Sequence, residues 1–325
     1  MTAAMHPELQ RVHELAQQGR LDEALELMHR LAEQGEPESL VTLGNFYWQG
    51  GPVEQDPLRG REYFRRASDV GHPLGRFFYT NLLANGVFGD RNWAEALERL
   101  RDEAALDPKR ASALSVIEAM SLDDDGNPVK LPAARSLSPA LDVCVFPQLF
   151  SASECNHIRA IAEQRYMKST IHDERGKEIP HPLRSSDGAP LHWLIEDPAI
   201  HAMNRRLAAA SGTDYANAEP MLVLRYSPGQ QYHRHFDALP GLDNQRIKTA
   251  LVYLNDDYSG GETEFPRIGL KFKGSRGDAL IFGNVDREGA PAAPSEHAGL
   301  PVVNGIKYLA SRWIRARAHV PGLQT

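Results

Sequence analysis

The sequence predicts an α+β chain in two parts: an α-helical repeat domain over residues 1–120, then a strand-rich domain over 141–319. A linker at 121–140 joins them, and 320–325 form a tail. Three observations predict this. The front of the chain aligns with itself at a shift of 36 residues, Gly35 onto Gly71. Asp123, Asp124, Asp125, Gly126, Asn127 and Pro128 then interrupt the helical pattern with breakers. Beyond them, short apolar runs separated by Gly, Pro and Asp have the spacing of strands.

The repeat supplies its own helix signals. The same shift places Pro37 on Pro73, Gly50 on Gly86, Asp56 on Asn92, and the small residues Ala24, Gly60 and Ala96 in register. Asp56 and Asn92 are N-cap types, Pro57 suits a first helical position, and Glu95 completes a capping box with Asn92. The small residue four places after each cap faces a neighbouring helix. Gly35 and Gly71 stand where a helix ends in a left-handed conformation. Leu43, Phe46 and Tyr47, then Tyr79, Leu82 and Leu83, follow helical spacing. Arg59, Arg61, Arg65 and Arg66 are broken up by Glu62 and Asp69 and read as a solvated helix face. Residues 20 to 108 resemble Sel-like repeats, the tetratricopeptide-related helix pairs, which implies either a scaffold for a protein partner or a packing domain.

Composition narrows the function classes. A chain of 325 residues has room for two domains, and 42% hydrophobic with 24% charged residues is ordinary for a globular protein. The net charge of −7 argues against a general nucleic-acid binder, which needs a surplus of lysine and arginine. No apolar run is long enough to span a membrane, and Met1 to Gln10 lack a signal peptide's apolar stretch. Cys144 and Cys155 make no disulfide framework, are expected as small buried residues, and fit a cytoplasmic setting.

The chemistry sits near the end. On a strand, His235 and Asp237 project to one face, an imidazole beside a carboxylate. With His297 as third ligand, two histidines and one carboxylate leave open positions, the set expected for non-haem iron(II) oxygenases. His233 shares their parity and is expected at the rim. In the alternating run after Gly305, Lys307, Leu309, Ser311 and Trp313 share one interior face. A buried lysine is costly without a partner, so Lys307 calls for a carboxylate from elsewhere.

Several ordered motifs carry a resemblance over Leu141 to His319, strongest in the core 219–319. They are Tyr226-Ser227-Pro228-Gly229-Gln230-Gln231-Tyr232, His235-Phe236-Asp237, Gly260-Gly261-Glu262-Thr263-Glu264-Phe265-Pro266, His297-Ala298-Gly299-Leu300-Pro301-Val302 and Gly305-Ile306-Lys307. Upstream, Phe150-Ser151-Ala152-Ser153-Glu154-Cys155 and Arg184-Ser185-Ser186 fit the same pattern. Together they resemble the prolyl 4-hydroxylase branch of 2-oxoglutarate/iron(II) dioxygenases. That resemblance implies a double-stranded β-helix, or jelly roll, with iron(II) held by His235, Asp237 and His297. It implies that Lys307 meets the distal carboxylate of 2-oxoglutarate, helped by Tyr253, Thr249 and Tyr226, with Arg184 and Trp313 near the substrate groove. L-ascorbate is the implied reductant.

The expected reaction consumes 2-oxoglutarate and O2, releases succinate, and hydroxylates a peptidyl proline in a protein or peptide held by the helical repeats. Another small-molecule or protein substrate is the alternative, as is a catalytically silent repeat scaffold. An AlkB-like nucleic-acid demethylase is disfavoured because lysine, not arginine, stands at 307. Halogenation is disfavoured because Asp237 is intact.

Overall fold

A computed structural model describes residues 7–172 and 178–319. They form two compact units. The first holds residues 7–111 together with Trp193–Pro198, and the second holds the rest.

In the first unit, α1 (Pro7–Gln17), α2 (Leu21–Glu33), α3 (Pro37–Gln49), α4 (Pro57–Asp69), α5 (Pro73–Asn85) and α6 (Trp93–Ala104) follow one another. Proline opens α3, α4 and α5, where its missing N–H costs nothing. Asp56 accepts a hydrogen bond from Arg59 N, and Asn92 one from Glu95 N. The Glu95 carboxylate meets the Asn92 side-chain amide at 3.0 Å and Arg99 Nε at 2.9 Å, so it supports the cap sideways. Gly35 (φ 82°) and Gly71 (φ 83°) both turn left-handed, as expected. Gly60 lets α4 lie against α3: a Cβ there would stand 2.9 Å from Gly44 O and from Trp48 N. Leu31, Leu40 and Leu43 anchor one apolar cluster. Trp48, Phe64 and Leu82 anchor another, which also takes in Leu194 from the 193–198 segment.

The arginine-rich helix departs from the expected solvated face. Arg61 is buried, with its guanidinium donating to Val87 O (2.8 Å) and Asp90 O (2.7 Å). Arg66 donates to Ala32 O at 2.6 Å. Arg65, paired with Glu62 and Asp69 on its own helix, and Arg59, exposed with its guanidinium 4.3 Å from the Tyr47 ring centroid, keep to the expected solvated face. Loop and helix-end carbonyls need donors, and these arginines supply them.

α7 (Pro108–Glu118) leads into the second unit. The stretch around Asp123 closes into a turn, with Asp123 N donating to Asn127 O at 2.9 Å and Leu122 bridged to Pro128. The second unit then runs β1 (Arg135–Ser138), β2 (Val143–Phe146), α8 (Ala152–Ala162), β3 (Met167–Lys168), β4 (Thr170–His172), β5 (Glu178–Pro180), β6 (Asp187–Leu191) and α9 (Pro198–Ser211). Ser151 and Glu154 cap α8 reciprocally, a full capping box. There follow β7 (Met221–Tyr226), β8 (Tyr232–His235), β9 (Arg246–Tyr253), β10 (Ser259–Gly260), β11 (Thr263–Phe265), β12 (Leu270–Phe272), β13 (Ala279–Gly283), β14 (His297–Gly299), β15 (Val302–Asn304) and β16 (Lys307–Arg315).

Two antiparallel sheets face each other. The larger has the order β1-β2-β13-β9-β16-β7-β6-β3, the smaller β12-β11-β14-β8. Leu224, Leu251, Phe265, Leu280 and Phe282 fill the space between them. This is the expected jelly roll, and β16 lies at its centre between β7 and β9.

Candidate metal centre and its pocket

β8 and β14 pair antiparallel with His235 directly opposite His297. β8 ends at His235, so Asp237 sits just past the strand rather than on it, yet its carboxylate still turns to the same place. Asp237 Oδ1 lies 3.6 Å from His235 Nε2, and Oδ2 lies 3.6 Å from His297 Nε2. One ligand atom from each of the three residues falls within 4.8 Å of the others, and all three residues are buried.

The backbone decides which imidazole nitrogen faces inward. His235 Nδ1 lies 2.7 Å from His233 O, and His297 Nδ1 lies 2.9 Å from Ser295 O. A carbonyl only accepts, so each Nδ1 carries the hydrogen and each Nε2 offers its lone pair to the centre. Burial holds His297 low, at about 4, against the pull of Asp237. Burial alone would raise Asp237, but His297, His235 and the Thr249 hydroxyl together hold its carboxyl well below the usual range. Two imidazoles with Nε2 lone pairs turned inward and an ionised carboxylate are the donors a divalent cation needs, so the donor set fits iron(II).

Beside the ligands a pocket opens between the sheets, lined by Lys307, Leu309, Ser311 and Trp313 along one face of β16. These are the four residues whose parity placed them together. Lys307 is 2% exposed, and its Nζ donates to Gly261 O at 2.7 Å. Among the described residues no carboxylate forms an ion pair with it. Burial pulls its pKa down to about 7, opposed by the more distant Glu262. A buried amine of this kind fits a diacid as its missing counter-charge.

The other predicted residues divide. Tyr226 lines the pocket opposite Lys307 on β7, and burial pushes its phenol up to about 12. Tyr253 is wholly buried, with Lys307 Nζ 5.5 Å from its ring, but its hydroxyl is taken by Thr263 Oγ1 at 2.8 Å. Thr263 lines the pocket itself, so Tyr253 supports the pocket wall from behind. Thr249 departs from its expected place at the cosubstrate: its hydroxyl donates to Asp237 Oδ2 at 2.6 Å, because β9 places it beside the metal carboxylate. Arg184 stays outside the pocket lining, with Nε on Ser169 Oγ (3.0 Å) and its guanidinium 5.5 Å from the Tyr232 ring centroid. Trp313 lines the pocket with Arg246 stacked on its ring at 4.2 Å. His233 is exposed and gives the centre only its backbone carbonyl.

Sequence reasoning missed three groups. Tyr232 stacks on His235 with ring centroids 3.5 Å apart. Thr263 lay inside a quoted motif without a role. Asn284 donates to Thr249 Oγ1 at 2.9 Å. The repeated aromatic and the Thr of Gly-Gly-Glu-Thr were visible signals; a lone Asn after an apolar strand was not.

Comparison with known proteins agrees with this geometry. Residues 221–315 match the family described as the 2OG-Fe(II) oxygenase superfamily. Prolyl 4-hydroxylase 1 of Arabidopsis thaliana is 34% identical over 207 residues, covering 58% of this chain and 72% of that protein. The viral collagen prolyl hydroxylase vCPH of Paramecium Bursaria Chlorella virus-1, solved with 2OG, is 29% identical over 54% of this chain and 96% of that one, with a TM-score of 0.41. A Sel1 repeat protein from Oxalobacter formigenes is 26% identical over 28% of this chain and 37% of that one, with a TM-score of 0.26. The chain therefore belongs to the prolyl 4-hydroxylase family of 2OG-Fe(II) oxygenases.

Proposed function

We propose that this protein hydroxylates a peptidyl proline, with His235, Asp237 and His297 holding iron(II) and Lys307 holding the far carboxylate of 2-oxoglutarate. The observation that carries the reading is the convergence of three ligand atoms beside a buried amine that has no counter-charge among the described residues. When bound, iron(II) with 2-oxoglutarate and O2 supplies oxidative decarboxylation to succinate and hydroxylation of a C–H bond. The chain's own part is positioning. His233 O and Ser295 O fix the imidazole tautomers, and Thr249 fixes the carboxylate. Leu224, Leu251 and Leu309 keep water from the pocket, which strengthens the Lys307–carboxylate attraction. Thr263, with Tyr253 behind it, and Tyr226 complete the diacid's surroundings. No side chain serves as a nucleophile. Trp313 and Arg184 belong on the substrate side, the helical repeats give a protein partner a place to dock, and ascorbate is the family's reductant.

The test is reconstitution with iron(II), 2-oxoglutarate and ascorbate, followed by succinate release and a hydroxylation mass shift on proline-containing peptides. Wild-type protein is expected to give both, and Asp237→Ala neither, with loss of metal binding. Turnover only with non-proline substrates would reassign the substrate. Absence of metal binding by the wild type would leave a silent scaffold.

A further inference from the structure

We propose that Asn284 is a positioning residue for the metal centre, acting through Thr249 on Asp237 with its side chain and bracing His297 with its main chain. The inference rests on the metal reading above. Asn284 and Thr249 are both fully buried. An ionised carboxylate can only accept, so Thr249 Oγ1, 2.6 Å from Asp237 Oδ2, must donate its hydrogen there. Its oxygen is then left to accept, and the group 2.9 Å away has to be the amide nitrogen of Asn284 and not its oxygen. The chain of donation therefore runs one way, from Asn284 to Thr249 to Asp237. Without the amide, the Thr249 hydroxyl is free to rotate towards another acceptor. With it, the carboxylate is held in one orientation, and each bond polarises the next.

The main chain of the same residue reaches the opposite ligand. Asn284 O accepts from Ala292 N at 3.0 Å and from Ser295 Oγ at 3.2 Å. That braces the short turn whose Ser295 O orients His297 Nδ1 at 2.9 Å. Asn284 N donates to Ile247 O at 2.8 Å, two residues before Thr249 on β9. Two ligands on separate segments are thus referenced to one buried residue. Among the described residues its Oδ1 has no hydrogen-bond partner, so the amide is held through its nitrogen.

Cobalt(II) is the probe, since its visible spectrum reports coordination geometry independently of turnover. Asn284→Ala is expected to weaken cobalt(II) binding about tenfold or more and to change that spectrum. Thr249→Val is expected to do the same, and Thr249→Ser, which keeps the hydroxyl, to bind like wild type. In the Thr249→Val background, Asn284→Ala should cause no further loss, because its side chain acts through the hydroxyl already removed. Thermal melts of the metal-free variants run alongside; should Asn284→Ala not fold, Asn284→Leu, which keeps the branched skeleton without the amide, replaces it. Wild-type affinity and spectrum in the Asn284 variant, or losses that add in the double variant, overturn the inference. Failure of the wild type to bind cobalt(II) overturns the metal reading instead.

Discussion

Lys307 donates to one backbone carbonyl, Gly261 O, and is otherwise enclosed by apolar and aromatic surface, with the rings of Tyr226 and Tyr253 each 5.5 Å away. A charged amine in that setting has no counter-charge from the fold among the described residues, which favours one supplied by a ligand. Its pKa of about 7, against 10.5 in the unfolded chain, sets two opposite pH dependences. Between those values the unfolded chain binds a proton that the ligand-free folded protein does not, so this group makes stability rise with pH from about 7 upward. A bound diacid pulls the pKa back up, so 2-oxoglutarate affinity should fall as pH rises above about 7. Lys307→Met should remove both trends. It should weaken 2-oxoglutarate binding by two to three orders of magnitude, about 3–4 kcal/mol, while the metal-free melting temperature at neutral pH stays level or rises. Isothermal titration at several pH values and thermal melts check the two arms. A 2-oxoglutarate affinity unchanged by the substitution would remove the lysine from the pocket.

At the scale of elements, the packing of α3 on α4 depends on Gly60. Replacing a mid-helix glycine by alanine normally stabilises a helix by about 1 kcal/mol. Here the added methyl would stand 2.9 Å from Gly44 O and Trp48 N, both backbone atoms that cannot move without separating the helices. Gly60→Ala should therefore destabilise the helical unit by about 1–3 kcal/mol, read by urea unfolding. A gain in stability would show that the helices are free to part. The same scale explains why β16 serves as the pocket wall. Its alternate residues from Lys307 to Trp313 all line one cavity, while Ala310, Arg312 and Ile314 are buried on the other side. The alternation therefore shows in which residues meet the cavity and not in burial. Asp237 and Thr249 mark the limit of parity reasoning: one lies past a strand end, and the other shares a face with the carboxylate it orients.

On the scale of the whole molecule, a piece of chain far beyond the repeats belongs to the helical unit. Leu194 is 2% exposed among Trp48, Phe64 and Leu82, and its carbonyl accepts from Asn81 Nδ2 at 2.8 Å. Asn85 Nδ2 donates in the same way to Trp193 O at 2.9 Å. Leu194→Ala should cost the helical unit about 2–5 kcal/mol even though the residue follows β6 in sequence. Urea unfolding followed by helical circular dichroism checks this, and an unmoved midpoint would refute it.

What the sequence determined by itself is what local spacing can encode. The repeat period, the caps at Asp56 and Asn92, the left-handed glycines, and the one-face set of Lys307 to Trp313 are properties of neighbours along the chain. The three candidate ligands and the buried Lys307 were legible because each motif keeps its chemistry within a few residues. Tertiary structure alone decided what holds those groups in place: Asn284 with Thr249, Thr263 with Tyr253, Arg61 with the carbonyls of Val87 and Asp90, and Leu194 within the repeats. Those pairings join residues 10 or more apart in sequence, and a hydrogen bond or a packed side chain is fixed by distance in space, which no local period records.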